Sequence, residues 1–457
     1  MLVNNPCVSD ARVIREAEAL AAAGHDVTVL ACAGRGVTTA EAVNGVSYRR
    51  LAWRGQLQKR LARKAVSAAP GESGMLFGWL PRTVVDSLLP RGTARRQAAY
   101  VAYVGARRPW RSLLIGRWLL IRTMTPTVLD LGRYHDLFSR EIERLKPDVI
   151  HAHDLHTLFA GWRGARRTGA RLVYDSHELE MGRNGNYGIW HRTTRRFSER
   201  FLIKKADAVV TVCDSIADHL AERYRIARPV VVLNAPQERP WQSSSNTLRR
   251  RLGLAEDVPL CVSVGKTTIH RGLDYAVRAL PLCPQAHLAL VGPRDERVAE
   301  ALRALAADLG VADRVHFVDS VPHYEVPGFV ASADVSLILV QNICLSYYMC
   351  FPNKLLESLL AKLPVVAGRL IELERVVGET GAGVIVDETD PAAIAQGIRE
   401  VVDNRGHYSP DREMLDFIRQ KYGWDTQRRR LATLYESLRP REPVATPAAA
   451  ERSTARS

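Results

Sequence analysis

Pro352, Asn353, Lys354 and Glu357 are the residues whose types and spacing first suggest chemistry in this chain. They lie in Cys344–Gly368, where a polar, aromatic loop runs into Pro352 and then a short helical pattern of Leu355, Leu356, Leu359 and Leu360. Pro364 and the apolar run Val365–Ala367 follow, as a loop and a buried strand would. Proline is tolerated in the first turn of a helix, because that N–H has no intrahelical partner. The free amides beyond it, with the positive end of the helix dipole, make a place for a phosphate. Glu357 stands one turn past Asn353 and faces the same mouth, where a carboxylate can accept two hydroxyl hydrogen bonds from a ribose. The plainer reading is a solvated glutamate on an amphipathic helix–strand unit.

A second group is Gly265-Lys266, at the end of an apolar run, with Arg271-Gly272 opening the next helical stretch. In open α/β sheets ligands bind beyond the carboxyl ends of the strands. Two cations there can clamp a diphosphate while the glycines let the backbone approach. Basic residues are common in such loops, so this pair gains weight only beside the Pro352 helix. A third group is His151 and His153, two apart on a strand and so on one face, with Asp175, His177 and Glu178 after another strand. These residues fit a metal site, a satisfied structural histidine, or a polar role beside a reacting sugar.

The elements that must position these groups alternate. Strand patterns at Met1–Val3, Val27–Leu30, Val149–His153, Leu172–Tyr174, Ala208–Val212 and Val230–Leu233 are separated by helical stretches. A second series has strands at Leu260–Val264, His287–Val291, Val315–Val318, Val335–Val340, Val365–Ala367 and Gly383–Val386. Strands alternating with helices predict parallel, doubly wound sheets. The first strand is short, which suggests that the natural start lies upstream. The expected organisation is a domain over 1–236 with a basic insertion at about 49–131, a linker at 237–247, and a second domain over 248–415. A C-terminal helix over 416–438 and a disordered Pro/Ala/Ser-rich tail over 439–457 complete it.

Composition narrows the class. At 457 residues, 46% hydrophobic and 25% charged, the chain reads as two or three soluble globular domains. Its seven cysteines are scattered, without a CxxC, which argues against a disulfide framework or zinc cluster and for a cytoplasmic location. No signal peptide is legible, and no apolar run approaches the roughly 18–20 residues that span a bilayer. The net charge of +15 is concentrated between Arg49 and Arg122, where sixteen Lys or Arg face only Glu72 and Asp86. Within it Trp110, Leu113, Leu114, Trp118 and Ile121 form a helical stripe among arginines, a pattern suited to an anionic membrane surface or to packing on the domain. Nucleic acid is not expected, because the arginines lack interleaved stacking aromatics.

Taken in order, the motifs resemble those of the GT-B fold glycosyltransferases, specifically retaining family 4. They are Asp10–Val13 leading to Gly24–Val27, Asp148–Asp154, Tyr174–Glu178, Lys204–Asp207, Gly265-Lys266 with Arg271-Gly272, and Pro352–Lys354 with Glu357. The resemblance implies two Rossmann-like doubly wound domains facing across a cleft, the second holding a nucleoside diphosphate sugar. It implies a phosphate-binding basic pair at Lys266 and Arg271, exchanged in order, with Gly265, Asn353 and Lys354 beside them and a ribose-holding role for Glu357. Met349 replaces the first of the family's paired glutamates. His153, rather than His151, matches the family's active-site histidine. The implied reaction is front-face displacement with retention, needing no metal or other cofactor.

The implied acceptor is a glycan or lipid-linked glycan, made at the inner face of the cell membrane during cell-surface polysaccharide synthesis. A sugar-nucleotide epimerase of the same fold and a non-catalytic, membrane-associated nucleotide-sugar-binding protein are the alternatives. Donor incubated alone distinguishes them, since the first yields an epimer and the second releases no diphosphate.

Overall fold

The computed structural model describes residues 1–8, 10–34, 36–52, 134–183, 189–237 and 247–438. The stripe from Trp110 to Ile121 and the tail 439–457 lie outside them. Strands are β1 (Val27–Cys32), β2 (Ala40–Val43), β3 (Val46–Leu51), β4 (Val149–His153), β5 (Arg171–Ser176), β6 (Ala208–Thr211) and β7 (Val230–Val231) in the N-terminal half. The C-terminal half has β8 (Leu260–Val264), β9 (His287–Val291), β10 (Val315–Val318), β11 (Val335–Ile338), β12 (Val365–Gly368) and β13 (Gly383–Val386).

Leu2 joins the N-terminal half together. It bridges Leu30 of β1 on one side and Ala152 of β4 on the other, so the ladders β1-β3-β2 and β4-β5-β6-β7 become one sheet. Its N–H donates to the His151 carbonyl at 2.8 Å and its carbonyl accepts from the His153 N–H at 3.1 Å. β4 and β5 are sealed on both faces, so even their polar residues His151, His153, Asp175 and Ser176 are buried. β2 and β3 form an antiparallel hairpin about Asn44-Gly45, where φ is +50° and +78°. Those angles suit Asn and Gly in a two-residue turn. Arg49 and Arg50, expected in the basic insertion, belong to β3, so the insertion starts later than 49.

All six C-terminal strands are parallel, in the order β10-β9-β8-β11-β12-β13. The order reverses between β8 and β11, and a crevice opens at such a switch point beyond the strand ends. Two glycines allow its walls to close up. A Cβ on Gly272 would lie 2.3 Å from the Leu339 carbonyl oxygen, and one on Gly292 2.3 Å from that of Gly265. Both have positive φ, +66° and +143°, so no other residue fits either position without strain.

The expected crossing helix is two helices, Arg412–Tyr422 and Trp424–Ser437, separated at Gly423 with ψ 157°. The second packs on the N-terminal half. Leu431 is fully buried among Val13, Ala17, Val173 and Val232, and the Leu233 N–H donates to the Gln427 side chain at 3.1 Å. Burying a leucine in this way contributes about 1.5–3 kcal/mol. Among the described residues no helix is long and apolar enough to cross a membrane.

Candidate active site

The two halves enclose a cleft of about 1540 Å³. Its C-terminal wall carries Gly265, Lys266, Arg271, Asn353, Lys354 and Glu357. Every candidate read from that half therefore reaches one cavity. Gly265 and Lys266 follow β8, and Arg271 closes the same loop before the helix Leu273–Ala279. Pro352 stands one residue earlier than expected. It is the residue before the helix Asn353–Leu360, with ψ 126°, and no side chain caps that helix. The first amides of the helix are thus left for a ligand.

Charge on this wall is unbalanced. Among the described residues, Lys266, Arg271 and Lys354 form no ion pair with a carboxylate. Arg271 lies over the Tyr347 ring at 5.6 Å, which fixes its plane without neutralising it. Burial lowers Lys354 to about 7, and Arg271 nearby pushes in the same direction. Burial also raises Glu357 to about 7, opposed by Arg15 and Lys354. Each charge on this pair therefore changes near neutrality.

The N-terminal wall is built from the helix Ala11–Ala22 and the turn after β5. Arg12, His177, Glu178 and Arg183 border the cleft. Behind them Arg12 grips Asp175 with two parallel bonds of 2.8 Å and reaches the Val232 carbonyl at 2.6 Å. Burial would raise Asp175, but Arg12 and His177 outweigh it and hold the carboxyl well below its usual range. His177 Nε2 lies 3.2 Å from Asp175 Oδ2. Burial alone would favour neutral His177, yet Asp175 and Asp154 raise it to about 9, so it faces the cleft as a cation.

His153 does not face the cleft. It is 1% exposed, with Nδ1 3.2 Å from Asp175 and 3.0 Å from His177 Nε2. The resemblance puts it at the ligand; here it stands one layer behind His177, which lines the cleft. The alternation of β4 puts His151 and His153 on one face, but that face is roofed by the helix Ala11–Ala22. Their rings stack 4.4 Å apart, and His151 Nδ1 lies 2.8 Å from the Tyr435 hydroxyl. Glu16, His151, His153 and Asp175 each bring a ligand-type atom within 4.8 Å of the others. Arg12, 3.0 Å from Glu16 and bidentate to Asp175, supplies positive charge beside that group.

Met349, in the place of the missing glutamate, is not among the residues lining the cleft. Its carbonyl accepts bonds from Ser215 Oγ at 3.0 Å and Cys213 Sγ at 3.1 Å, tying the halves together. Glu372 adds a second tie, accepting from the Ser215 N–H at 2.8 Å. The residues that sequence reasoning missed are Arg15 and Glu16. Arg15 binds Asn234 and the Ala235 carbonyl at the crossing between halves and stands over Trp424 at 5.6 Å. The signal was present. Arg12, Arg15 and Glu16 share one helical face at i, i+3 and i+4, and that face is otherwise apolar.

Comparison with known proteins agrees with this arrangement. A family model described as "Glycosyl transferase 4-like domain" matches residues 10–235, and one described as "Glycosyl transferases group 1" matches residues 244–420. The chain belongs to the family 4-like glycosyltransferases of the GT-B fold, and it is a glycosyltransferase. It is 26% identical over 305 residues to an uncharacterised glycosyltransferase of Methanocaldococcus jannaschii, covering 64% of this chain and 75% of that protein. It is 32% identical over 276 residues to a D-inositol 3-phosphate glycosyltransferase of Acidothermus cellulolyticus, covering 56% of this chain and 60% of that protein. Among solved structures, a sucrose-phosphate synthase of Thermosynechococcus elongatus superimposes with a TM-score of 0.67 at 18% identity, covering 96% of this chain and 98% of its own. HepE of Anabaena, solved with UDP and glucose, gives 0.62 at 14% identity, covering 95% and 98%. At these identities the two structures establish the fold alone.

Proposed function

We propose that the chain transfers a sugar, with retention, from a nucleoside diphosphate sugar to a hydroxyl of a membrane-borne glycan or glycolipid. The observation that carries this reading is the C-terminal wall, where unpaired Lys266, Arg271 and Lys354 converge with an uncapped helix N-terminus. Such a wall fits a diphosphate, and Glu357 at one turn's distance fits ribose hydroxyls. Structures of the neighbouring HepE hold UDP and glucose, which supports the same assignment of donor.

The cationic wall places the burden of catalysis on the leaving group. The acceptor oxygen bonds to the anomeric carbon on the face from which the diphosphate leaves, and a diphosphate oxygen takes the acceptor proton. Preorganised cations aimed at that developing charge are the largest contribution an enzyme makes to such a step. Three side-chain cations and a helix dipole supply it here, so we propose that no metal is required. On the opposite wall His177, held charged by Asp175, takes the role expected of His153. It is placed to bind and orient the reacting groups. The seven cysteines are free of disulfides, which supports a reducing, cytoplasmic site of action.

Melting the protein against a panel of nucleotide sugars tests the donor. A true donor at about a hundred times its Kd stabilises by about 2.7 kcal/mol. The responding donor then releases its diphosphate when a lipid-linked glycan fraction is added, while incubation without acceptor gives no epimer. An epimer formed from donor alone overturns transfer.

The wall also predicts a pH dependence. As pH rises through about 7, Lys354 loses its positive charge and Glu357 gains a negative one. The first change disfavours a diphosphate, whereas the second supplies the carboxylate that accepts ribose hydroxyls. As Lys354 loses its charge, affinity for uridine diphosphate is expected to fall between pH 6 and pH 8, by up to about tenfold per unit. Binding above neutrality should take up protons, which calorimetry in buffers of different ionisation enthalpy reads directly. Lys354→Gln should weaken binding at pH 6 and flatten the profile; an unchanged slope in that variant counts against the assignment.

A further inference from the structure

Outside the cleft, the N-terminal half presents a surface that the transfer reaction does not use. The helices Asp154–Thr168 and Ile189–Leu202 lie side by side. Phe159 is 38% exposed, Phe197 75% and Phe201 47%; of the four phenylalanines exposed among the described residues, these are three. Three aromatic rings are in contact, with Phe197 one turn before Phe201 on the same helix. Trp162 lies tilted at 5.6 Å from Phe159 and edge-on at 5.8 Å from Phe201. Single exposed apolar residues need no explanation, but a contiguous aromatic group marks an interaction site.

Its rim is cationic. Arg166 lies over Trp162 at 5.5 Å and Lys205 over Phe201 at 5.4 Å. Arg196 and Arg200 are exposed, one turn apart, and among the described residues pair with no carboxylate. The acidic residue of the second helix, Glu199, is fully buried and hydrogen-bonded to Tyr174 and Tyr224, so it does not offset them. Aromatic side chains ringed by arginine and lysine on helices lying along a surface fit the headgroup boundary of an anionic bilayer.

We infer that this two-helix face docks the protein on an anionic membrane, with Phe197 and Phe201 entering the headgroup layer. Two further placements agree. The 81-residue stretch 53–133, which carries most of the chain's excess positive charge, rejoins the described chain at Tyr134 and His135, and His135 packs edge-on to Phe159 at 4.9 Å. The helix that carries the face is also tied to the cleft from its inward side: Arg195 binds Glu180, and Glu180 binds Arg183 at 2.9 Å, a cleft-lining residue. Such docking extends the reading of a membrane-borne acceptor, but it is measured without sugar transfer, so the two fail separately.

The test is flotation of the full chain with vesicles of phosphatidylcholine alone or with 40% phosphatidylglycerol. The wild-type chain should float with the anionic vesicles and not with the neutral ones. Phe197→Ser with Phe201→Ser, and separately Arg196→Glu with Arg200→Glu, should each lower the bound fraction by about tenfold while the melting temperature is unchanged. All four positions are exposed, so folding should survive. Equal flotation of both variants and wild type overturns the assignment of this face. Equal binding of wild type to neutral vesicles overturns the role of charge. Loss of single-stranded RNA binding in the same variants, with vesicle binding unaltered, would assign the face to nucleic acid instead.

Discussion

Lys266→Ala and Arg271→Ala should each lower kcat by about 10²–10³-fold, the loss seen when one preorganised donor to a developing charge is removed. The two side chains stand on one loop at the switch point of the C-terminal sheet and face the cleft without a carboxylate partner. Their positive charge is therefore fully available to a departing diphosphate, and the enclosed cleft screens it less than water would. Arg271 should prove the more sensitive to conservative exchange. Its guanidinium is oriented over Tyr347, and a lysine in its place would keep the charge but lose the planar two-pronged contact. Steady-state kinetics with the identified donor check both statements. Full activity of the double alanine variant would remove these residues from the reaction. Since both side chains reach into the cleft and neither pairs with a carboxylate among the described residues, the melting temperature should change little, and that separates lost chemistry from lost fold.

The opposite pattern is expected at Arg12. Arg12→Ala should cost about 3–5 kcal/mol of stability, because it strips the buried Asp175 carboxylate of its two-pronged partner and leaves only His177 and His153 beside it. Asp175 is 0% exposed, and Arg12 makes two of its bonds and a third to the Val232 carbonyl. Without the guanidinium, Asp175 rests on His177 and His153 alone, so the loss also reaches the cleft through His177. Urea unfolding followed by far-ultraviolet circular dichroism reads the loss as a lower midpoint with an unchanged slope. A variant that unfolds at the wild-type midpoint would show that the pair contributes little, as exposed ion pairs do.

How far the sequence foretold this site depends on how local each determinant is. Lys266, Arg271, Asn353, Lys354 and Glu357 were legible because each follows from its own strand–loop–helix unit, and parallel topology then brings those units to one sheet edge. The depth of His153 was not legible. It depends on a helix that contributes Arg12, 163 residues away from Asp175. No window of neighbouring residues reports that packing. Other differences were local and could have been read. Asn44-Gly45 between apolar residues is the strongest short hairpin signal, yet the basic residues that follow drew Arg49 and Arg50 out of β3. The helix Ile371–Thr380, which supplies Glu372 to the tie between halves, was likewise not expected, because its charges obscured the apolar positions Leu373, Val376 and Val377.

The helix Trp424–Ser437 has a consequence for the chain's biogenesis. Val13, Ala17, Val173 and Val232 are made early, but the leucine that shields them is Leu431. During translation the leading half must therefore wait, with this greasy strip bare, until almost everything behind it has left the ribosome. Any nascent-chain helper that prevents premature sticking would be needed longest at that strip. Dividing the gene between the halves would leave the same strip permanently uncovered.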